Sequence, residues 1–440
     1  ARLWMIEGLA GGLQLWWHMV SAYREDRRML DNPTAIYSWE AANEAYLLHR
    51  RPIATVGVLW SQENYDLYGR EHTEERIDLP WRGFTSALIR ARIPYLPVHA
   101  DDIDQTQLAV LILPDLALLS TEQVAALHRF ADRGGSLIAS GNTGLLDQHG
   151  ETRADFALGD LFGVHLTGPR DLFATPKLEK LAGESWHTYL RVTAGARHPI
   201  LKGFEKTDIL PFGGLLDSLH VDAGAIVPLT FIPQFPVYPP EKAWMRIPAT
   251  DIPGLVLREK PASEGAASQG PASQGPASER PASERRMTAK PARLAYLAAD
   301  VDREYGRSNL PDHGDLLRNL VQWAAGGDLP LKVEGAGLID CHLYEQPGRL
   351  ILHLVNLTNE NTWRQPLDEL IPIGPLKIDV RLPEGISGRH LQLLVAGGAI
   401  TAAVTEKADW PKAASEKPSP ENWCHFVLPR ILDHEVVIIT

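Results

Sequence analysis

Cysteine, long apolar runs and an excess of basic charge are all missing from this 440-residue sequence. Its two cysteines, Cys341 and Cys424, lie outside any C-x-x-C spacing, so neither a zinc site nor a disulfide framework is indicated. A single bridge between them is the one alternative. Acidic side chains outnumber basic ones by 55 to 43, which argues against nucleic acid as a partner because phosphate binding needs a basic face. No run of about 18 apolar residues occurs, so no membrane span is expected.

The length of the chain exceeds what one hydrophobic core usually organises, and two or three domains are expected. The first residues read as the interior of an amphipathic helix, with no basic and apolar leader before them. This pattern predicts the downstream part of a longer protein. A soluble protein is expected, with the cytoplasm as the favoured location, and no cofactor or metal is indicated.

Residues 1–50 are predicted to form a helix, a short strand and a second helix. The strand is the aromatic-rich apolar run 13–20, and Asn32-Pro33 introduces a helix over about 34–50. A unit of this length cannot bury its own apolar faces. It therefore requires a packing partner, which lies either elsewhere in this chain or outside it.

Two tryptophans and a histidine, Trp16, Trp17 and His18, end that predicted strand. If the strand is the last of a TIM barrel, its carboxyl end faces the active site, where indole rings can stack on sugar faces. These three residues are therefore predicted to bind carbohydrate, and packing of one tryptophan between barrel and helices is the alternative. Three glutamates of the same segment lie on predicted helices, are expected to face solvent and do not make an acid and nucleophile pair: Glu7, Glu40 and Glu44.

From residue 53 the sequence alternates strands with helices, which specifies a parallel sheet covered by helices on both faces. The predicted strands are 55–59, 95–98, 108–113 and 136–140, and the predicted helices are 81–91, 121–133 and 155–162. The central strand 136–140 runs into Gly141-Asn142-Thr143-Gly144, a turn at which such folds place a nucleophile. No cysteine lies within this domain, so thiolate chemistry is excluded and the turn is expected to serve as scaffold.

An aromatic segment follows the first strand of this domain, at the edge of the sheet where open α/β sheets bind ligands. It contains Trp60, Ser61, Gln62, Tyr65 and Tyr68. An exposed aromatic loop is predicted here, lining either a pocket or an interface. Trp60, Ser61 and Tyr68 are the candidate substrate-binding residues of this segment.

Two further groups of polar residues follow later in the domain. Asp300, Asp302 and Glu304 alternate along a predicted strand and could bind a cation, but a solvated strand end is favoured because no ligand-bearing loop accompanies them. Asp312 is predicted to cap the next helix, with His313 in its first turn. Catalysis at His313 is disfavoured.

A Pro-Ala-Ser repeat over residues 261–285 has no side chains with which to build a core. It predicts a disordered insertion at 259–290 within a surface loop, because a strand pattern over 293–299 and a helix pattern over 313–325 resume after it. After Gly326-Gly327 the pattern changes to short alternating strands separated by turn residues. This pattern predicts a C-terminal antiparallel β-sandwich.

Several of these segments resemble a known family. They are Tyr95-Leu-Pro-Val-His, Leu108-Ala-Val-Leu-Ile-Leu-Pro-Asp115, Leu119-Ser-Thr-Glu-Gln-Val, Phe130-Ala-Asp-Arg-Gly-Gly-Ser-Leu-Ile-Ala139 and Asp160-Leu-Phe-Gly-Val164. They look like the trimerisation domain of family 42 β-galactosidases, a class I glutamine amidotransferase-like domain that here lacks the nucleophilic cysteine. The opening run 7–18 is similar to the last helix and strand of the TIM barrel that precedes this domain.

The resemblance implies an α/β fold with a flavodoxin-like or amidotransferase-like parallel sheet, a TIM-barrel remnant before it and a C-terminal antiparallel β-sandwich after it. The corresponding domains are 1–51, 52–327 and 328–440. In the family the catalytic acid and nucleophile lie on earlier barrel strands. No residue of this chain is therefore assigned to catalysis, and the chain by itself is expected to be inactive.

The function implied is that of the downstream, largely non-catalytic portion of a glycoside hydrolase that acts on a β-galactoside or similar sugar. The expected partners are a carbohydrate substrate and further copies of the chain, as a trimer or dimer whose middle domain helps to close the active site. Neither nucleic acid nor membrane is expected as a partner. The alternatives are a sugar-binding or assembly module without hydrolase activity and an amidotransferase-like enzyme of unknown chemistry.

Overall fold

The computed structural model describes residues 2–18, 27–167, 186–236, 238–261, 290–359, 369–405 and 422–440. The chain divides into two compact units. The α/β unit comprises residues 55–88 and 96–328, and the sandwich unit comprises residues 1–54, 89–95 and 329–440. No helix in the described ranges is long and apolar enough to cross a membrane.

The described residues form eight α-helices, joined by a few short helical turns. The helices are α1 (Arg2–Ala10), α2 (Arg28–Ala42), α3 (Glu44–Leu47), α4 (Leu79–Ala91), α5 (Thr121–Asp132), α6 (Gly159–Phe162), α7 (Val301–Ser308) and α8 (Pro311–Ala324).

The strands of the same ranges fall into two groups along the chain. The first twelve are β1 (Arg51–Pro52), β2 (Val56–Trp60), β3 (Tyr95–His99), β4 (Val110–Leu113), β5 (Ser136–Ser140), β6 (Val164–Leu166), β7 (Trp186–Val192), β8 (Ile209–Phe212), β9 (Leu219–Val221), β10 (Ile226–Pro236), β11 (Pro253–Lys260) and β12 (Ala292–Leu297). The later ones are β13 (Leu331–Glu334), β14 (Ile339–Gln346), β15 (Arg349–Asn356), β16 (Leu376–Arg381), β17 (His390–Leu393), β18 (Ala399–Thr401), β19 (Ala403–Thr405), β20 (Trp423–Leu428) and β21 (His434–Ile439).

The α/β unit is built on one nine-stranded sheet with the order β3-β2-β4-β5-β12-β11-β10-β7-β8. The pairs β2 with β4, β4 with β5 and β5 with β12 are parallel, and the pairs from β12 to β8 are antiparallel. Counted along the chain, the first five strands of that order run second, first, third, fourth, fifth, which is the flavodoxin-like arrangement. The predicted α/β fold class is confirmed, with an antiparallel extension of the sheet that the sequence pattern did not predict.

The central strands β4 and β5 are buried along their whole length, which is why they read as continuous apolar runs. Helix α5 begins at a capping box formed by Ser120 and Gln123. The backbones of helices α4 and α7 are in close contact at Gly83. A Cβ added at Gly83 would lie 1.9 Å from the Asp302 carbonyl oxygen. This close approach brings the first turn of α7 to the carboxyl edge of the sheet.

The sandwich unit contains two antiparallel sheets with a shared apolar core. Their orders are β1-β14-β15-β21-β17-β18 and β13-β16-β20-β19. Leucine, isoleucine and valine side chains from both sheets make up the core, which confirms the predicted β-sandwich. Cys341 and Cys424 lie buried in it as free thiols.

The outer face of the six-stranded sheet is covered by the N-terminal helices. Ile6 and Ala10 of α1 pack on Val355, and Trp39 packs on a cluster around Tyr344. The Tyr344 hydroxyl donates a hydrogen bond of 2.6 Å to the Ala10 carbonyl oxygen. The C-terminal sheet thus supplies the packing partner that these helices require. A barrel origin for residues 1–51 stays a prediction.

Other local predictions are also corrected. Residues 13–18 form no strand, and residues 19 and 20 lie outside the described ranges. The helix predicted from residue 34 begins at Arg28 and contains Pro33, and the helix predicted over 155–162 is limited to α6. The segment after Trp60, expected as a loop, forms helical turns over Asn64–Gly69. Residues 262–289, where disorder is predicted, lie outside the described ranges, while residues 259 and 260 belong to β11.

Candidate functional site

The carboxyl ends of β2, β4 and β5 form the edge at which a flavodoxin-like sheet reverses its strand order and binds ligands. In this chain that edge carries Tyr68 after β2, Asp115 after β4 and Asn142 after β5. All three side chains are buried, each at 1 or 2% exposure. The position expected for a ligand is therefore filled by side chains of the protein itself.

Asp115 is the centre of this buried network. Its carboxylate accepts hydrogen bonds from the Tyr68 hydroxyl at 2.9 Å and from the Asn142 backbone N–H at 2.6 Å, and it pairs with the Arg303 guanidinium. Its backbone has a φ of +46°, a left-handed conformation that is unfavourable for a residue with a side chain. Such strain persists only where neighbouring contacts over-determine the geometry. The strained residue thus follows β4. The sequence pattern had instead indicated the turn after β5 as the place where such folds hold a nucleophile.

That turn approaches Asp115 closely. Gly141 has a φ of +56°, and an added Cβ there would lie 2.5 Å from Asp115 Oδ1. The Asn142 side-chain amide donates to the Tyr68 hydroxyl at 2.6 Å. The Tyr296 hydroxyl lies within hydrogen-bonding distance of the Gly141 carbonyl oxygen and of the Asp217 carboxyl group, and it can donate its one proton to either. Glycine is required at residue 141 because both the backbone conformation and the space exclude a side chain.

Helix α7 supplies the remaining charges. The Ser140 hydroxyl donates to Asp302 Oδ2 at 2.5 Å, and it accepts the Asp115 backbone N–H at 3.0 Å. Asp300 Oδ1 accepts the Leu215 N–H at 2.7 Å, and Asp300 Oδ2 lies 3.1 Å from Arg303 Nη1. Arg303 thus faces three carboxyl groups in a site closed to solvent, and the buried Arg76 guanidinium lies 5.2 Å from the centroid of the Tyr68 ring.

This imbalance of charge shifts the ionisation of the network. Burial raises the pKa of Asp302 to about 6, against the opposing hydrogen bond from Ser140. Burial also raises the pKa of Asp300 well above its usual value, although Arg303 acts in the opposite direction. The pKa of the Tyr68 hydroxyl is raised by burial and then by the negative charge of Asp115. The ion pair between Asp115 and Arg303 lies at the centre of this network.

The prediction that Asp300, Asp302 and Glu304 lie on a solvated strand end is wrong. These residues do not alternate on a strand, because α7 is a helix and Asp300 immediately precedes it. Asp300 and Asp302 are buried rather than solvated. Asp312 does not cap the following helix, since it lies inside its first turn, where His313 is buried and contacts the Pro211 carbonyl oxygen at 2.7 Å.

The structure places the predicted residues of the aromatic segment in two environments. Ser61 and Tyr68 are buried, with Ser61 Oγ donating to Glu63 at 2.9 Å. Trp60 is half-buried against Tyr68 and within 5.8 Å, centroid to centroid, of the Tyr65 ring. Of these residues, Trp60 and Tyr65 reach the surface. A role in substrate binding stays a prediction.

The N-terminal aromatic residues belong to the sandwich unit. Trp16 is 76% exposed and its ring lies 5.1 Å from that of His18, centroid to centroid. Trp17 packs partly against Met5, Leu9 and other residues of α1 and α2. Carbohydrate binding by Trp16, Trp17 and His18 also stays a prediction.

Chemically, the buried network has the properties of a scaffold. Its members are Tyr68, Asp115, Ser140, Asn142, Asp300, Asp302 and Arg303, so it contains no imidazole or thiol that could activate a nucleophile. Sequence patterns could place Ser140 and Asn142 at this edge, but no local signal pointed to Asp115 or Arg303, which are 188 residues apart.

Comparison with known proteins agrees with this arrangement. Residues 54–221 match the family model of the β-galactosidase trimerisation domain. Over these residues the chain is similar to that domain, which confirms the resemblance found in its sequence. No relative was found among curated proteins.

Three solved structures are similar over most of the chain. They are α-L-fucosidase isoenzyme 2 from Paenibacillus thiaminolyticus (TM-score 0.62, 16% identity), β-galactosidase from Bacillus circulans sp. alkalophilus (0.59, 12%) and a family 42 β-galactosidase from G. stearothermophilus (0.53, 15%). The alignments cover 100, 100 and 94% of this chain but only 56, 52 and 44% of those chains. The chain thus shares their fold and spans about half of their length.

Proposed function

We propose that this chain is the downstream, non-catalytic portion of a glycoside hydrolase of the β-galactosidase type. The observation that carries the proposal is the trimerisation domain over residues 54–221. The similar solved structures, named as β-galactosidases and an α-L-fucosidase, extend well beyond the length of this chain. The proposal assigns hydrolysis to a catalytic domain in the remaining half and oligomer assembly to this half.

The closed site at the sheet edge supports this division. Asp115, Asp300 and Asp302 are buried and engaged with Arg303 or Ser140, so they do not form two carboxyls across an open cleft as glycoside hydrolysis requires. The same network joins β4, β5 and α7 into a rigid edge. An amidotransferase-like activity is not favoured, because the domain has no cysteine and the turn after β5 is closed.

We expect the chain to self-associate through the α/β unit. That unit exposes large apolar side chains away from its core, notably Tyr238, Trp244 and Ile247, each more than half exposed. In sedimentation velocity at micromolar concentration, the protein should sediment as a trimer or dimer of the 48.6-kDa chain. A monomer at 10 μM and above, on the order of the concentrations at which specific interfaces are occupied, would contradict the proposed assembly role.

If hydrolysis belongs to another domain and assembly to this chain, the chain by itself should have no hydrolase activity. Purified protein should hydrolyse nitrophenyl β-galactoside, α-fucoside and a wider panel of nitrophenyl glycosides no faster than a buffer blank. A commercial β-galactosidase assayed in parallel would show that the substrates are competent. Turnover that co-purifies with the oligomer and follows protein concentration would show that the catalytic groups lie within these 440 residues.

A further inference from the structure

A second polar cluster lies in the sandwich unit, between helix α1 and strand β14. Asp340 and His342 are two residues apart on β14, so both point to the outer face of the sheet, and Glu7 of α1 lies over them. Ligand atoms from the three side chains all lie within 4.8 Å of one another. In the described part of the chain, this is the one group of three histidine or carboxylate side chains with that geometry. The expectation that Glu7 faces solvent is wrong.

The cluster has an ordered geometry. His342 Nε2 lies 3.1 Å from Asp340 Oδ2. The Asp340 carboxylate is oriented by the Cys341 backbone N–H, which donates to Oδ1 at 2.9 Å. Oxygen Oε1 of Glu7 is buried, and nothing in the described residues hydrogen-bonds it. A buried oxygen without a partner costs free energy unless another group occupies the space beside it.

Charge at the cluster also favours a cation. The carboxyl groups of Glu7 and Asp340 lie within 4.8 Å of each other, and Asp340 is 6% exposed. Two carboxyl groups held together in a poorly solvated place are stabilised by a positive charge between them.

We propose that Glu7, Asp340 and His342 bind a divalent transition-metal ion of the zinc class and thereby pin α1 to β14. One imidazole nitrogen with two carboxylate oxygens is a donor set that zinc accepts, and water can complete a tetrahedron. Tetrahedral ligands at zinc distances are separated by roughly 3.3 Å, close to the observed nitrogen to oxygen distance. The site holds the N-terminal segment on the sheet, and it does not depend on the function proposed above.

The test begins with the full chain stripped by chelator and dialysed. After zinc is added back and the excess removed, atomic emission should show one zinc ion bound per chain, and zinc at about a hundredfold over Kd should raise the Tm of the stripped protein by roughly 5 to 10 °C. Magnesium, which prefers octahedral oxygen ligands, should leave Tm unchanged. Absence of a zinc-dependent shift of Tm in the wild-type protein would overturn the proposal.

Two variants separate metal binding from folding. Glu7→Gln keeps the shape of the side chain but removes a carboxylate ligand, so the metal-free protein should keep its Tm while the zinc shift is lost. His342→Asn should also lose the shift. His425→Asn is the control, since His425 Nδ1 lies 2.8 Å from Asp379 in the other sheet and belongs to no such group of three. A zinc shift that survives in both Glu7→Gln and His342→Asn, or disappears in the control, would overturn the assignment.

Discussion

Replacement of Arg303 by methionine is expected to destabilise the α/β unit by about 3 to 5 kcal/mol, because it leaves the buried Asp115 carboxylate without its cation. The side chains of both partners are at most 5% exposed, so water cannot replace the lost charge. The strained backbone of Asp115 loses one of the contacts that hold it. Urea unfolding measures the loss, and hydrogen exchange of residues 110–113 and 136–140 assigns it to this unit.

Arg307→Met is the matched control for this experiment. Arg307 lies one turn further along α7 and pairs with Glu75 and Glu304, but its side chain is 44% exposed. An exposed pair of this kind contributes less than about 1 kcal/mol. Equal losses for the two variants would mean that the buried network does not stabilise the sheet edge in the way proposed.

Asp302→Asn is expected to make the α/β unit more stable at pH 7 while leaving it nearly unchanged near pH 4. In the folded protein the pKa of Asp302 is raised from 3.8 to about 6, chiefly by burial. The folded state therefore binds more protons than the unfolded state between these values, and the unfolding free energy of the wild type falls as pH rises through this window. A shift of about two units corresponds to roughly 3 kcal/mol, which asparagine avoids because it has no charge to bury.

The measurement is the urea midpoint of wild type and variant from pH 4 to pH 7.5. Ser140 can still donate its hydroxyl proton to the asparagine oxygen, so the hydrogen bond seen in the structure is retained. Asp251→Asn, at an exposed position of the same unit, should give a curve parallel to the wild type. Parallel curves for Asp302→Asn as well would show that Asp302 titrates normally in the folded protein.

Much of the secondary structure followed from local pattern. Strand β5 was predicted to the residue, because a continuous apolar run bounded by turn residues leaves few alternatives. The strand predicted over 13–20 was wrong. Residues 13–18 are apolar and rich in aromatic side chains, yet they form no strand. Periodicity alone does not tell whether an apolar segment pairs with a neighbour.

The candidate site could be predicted only in part. The turn after β5 was located correctly, and the missing cysteine led to the prediction that it serves as scaffold, which stays a prediction. Asp115 and Arg303 were not recognised, because their pairing joins segments that are distant in sequence. The α7 carboxylates were assigned to solvent because a buried carboxylate and an exposed one look alike in a sequence of polar residues.

The sequence by itself determined the α/β alternation, the C-terminal sandwich and the kinship with family 42 trimerisation domains, since each rests on residue patterns within short stretches of chain. Only the tertiary structure decided where the charges lie. It closed the ligand edge of the sheet around the pair Asp115 and Arg303, and it set Glu7 over Asp340 and His342. The physical reason is that burial and pairing of charge depend on contacts between segments hundreds of residues apart, which no local pattern records.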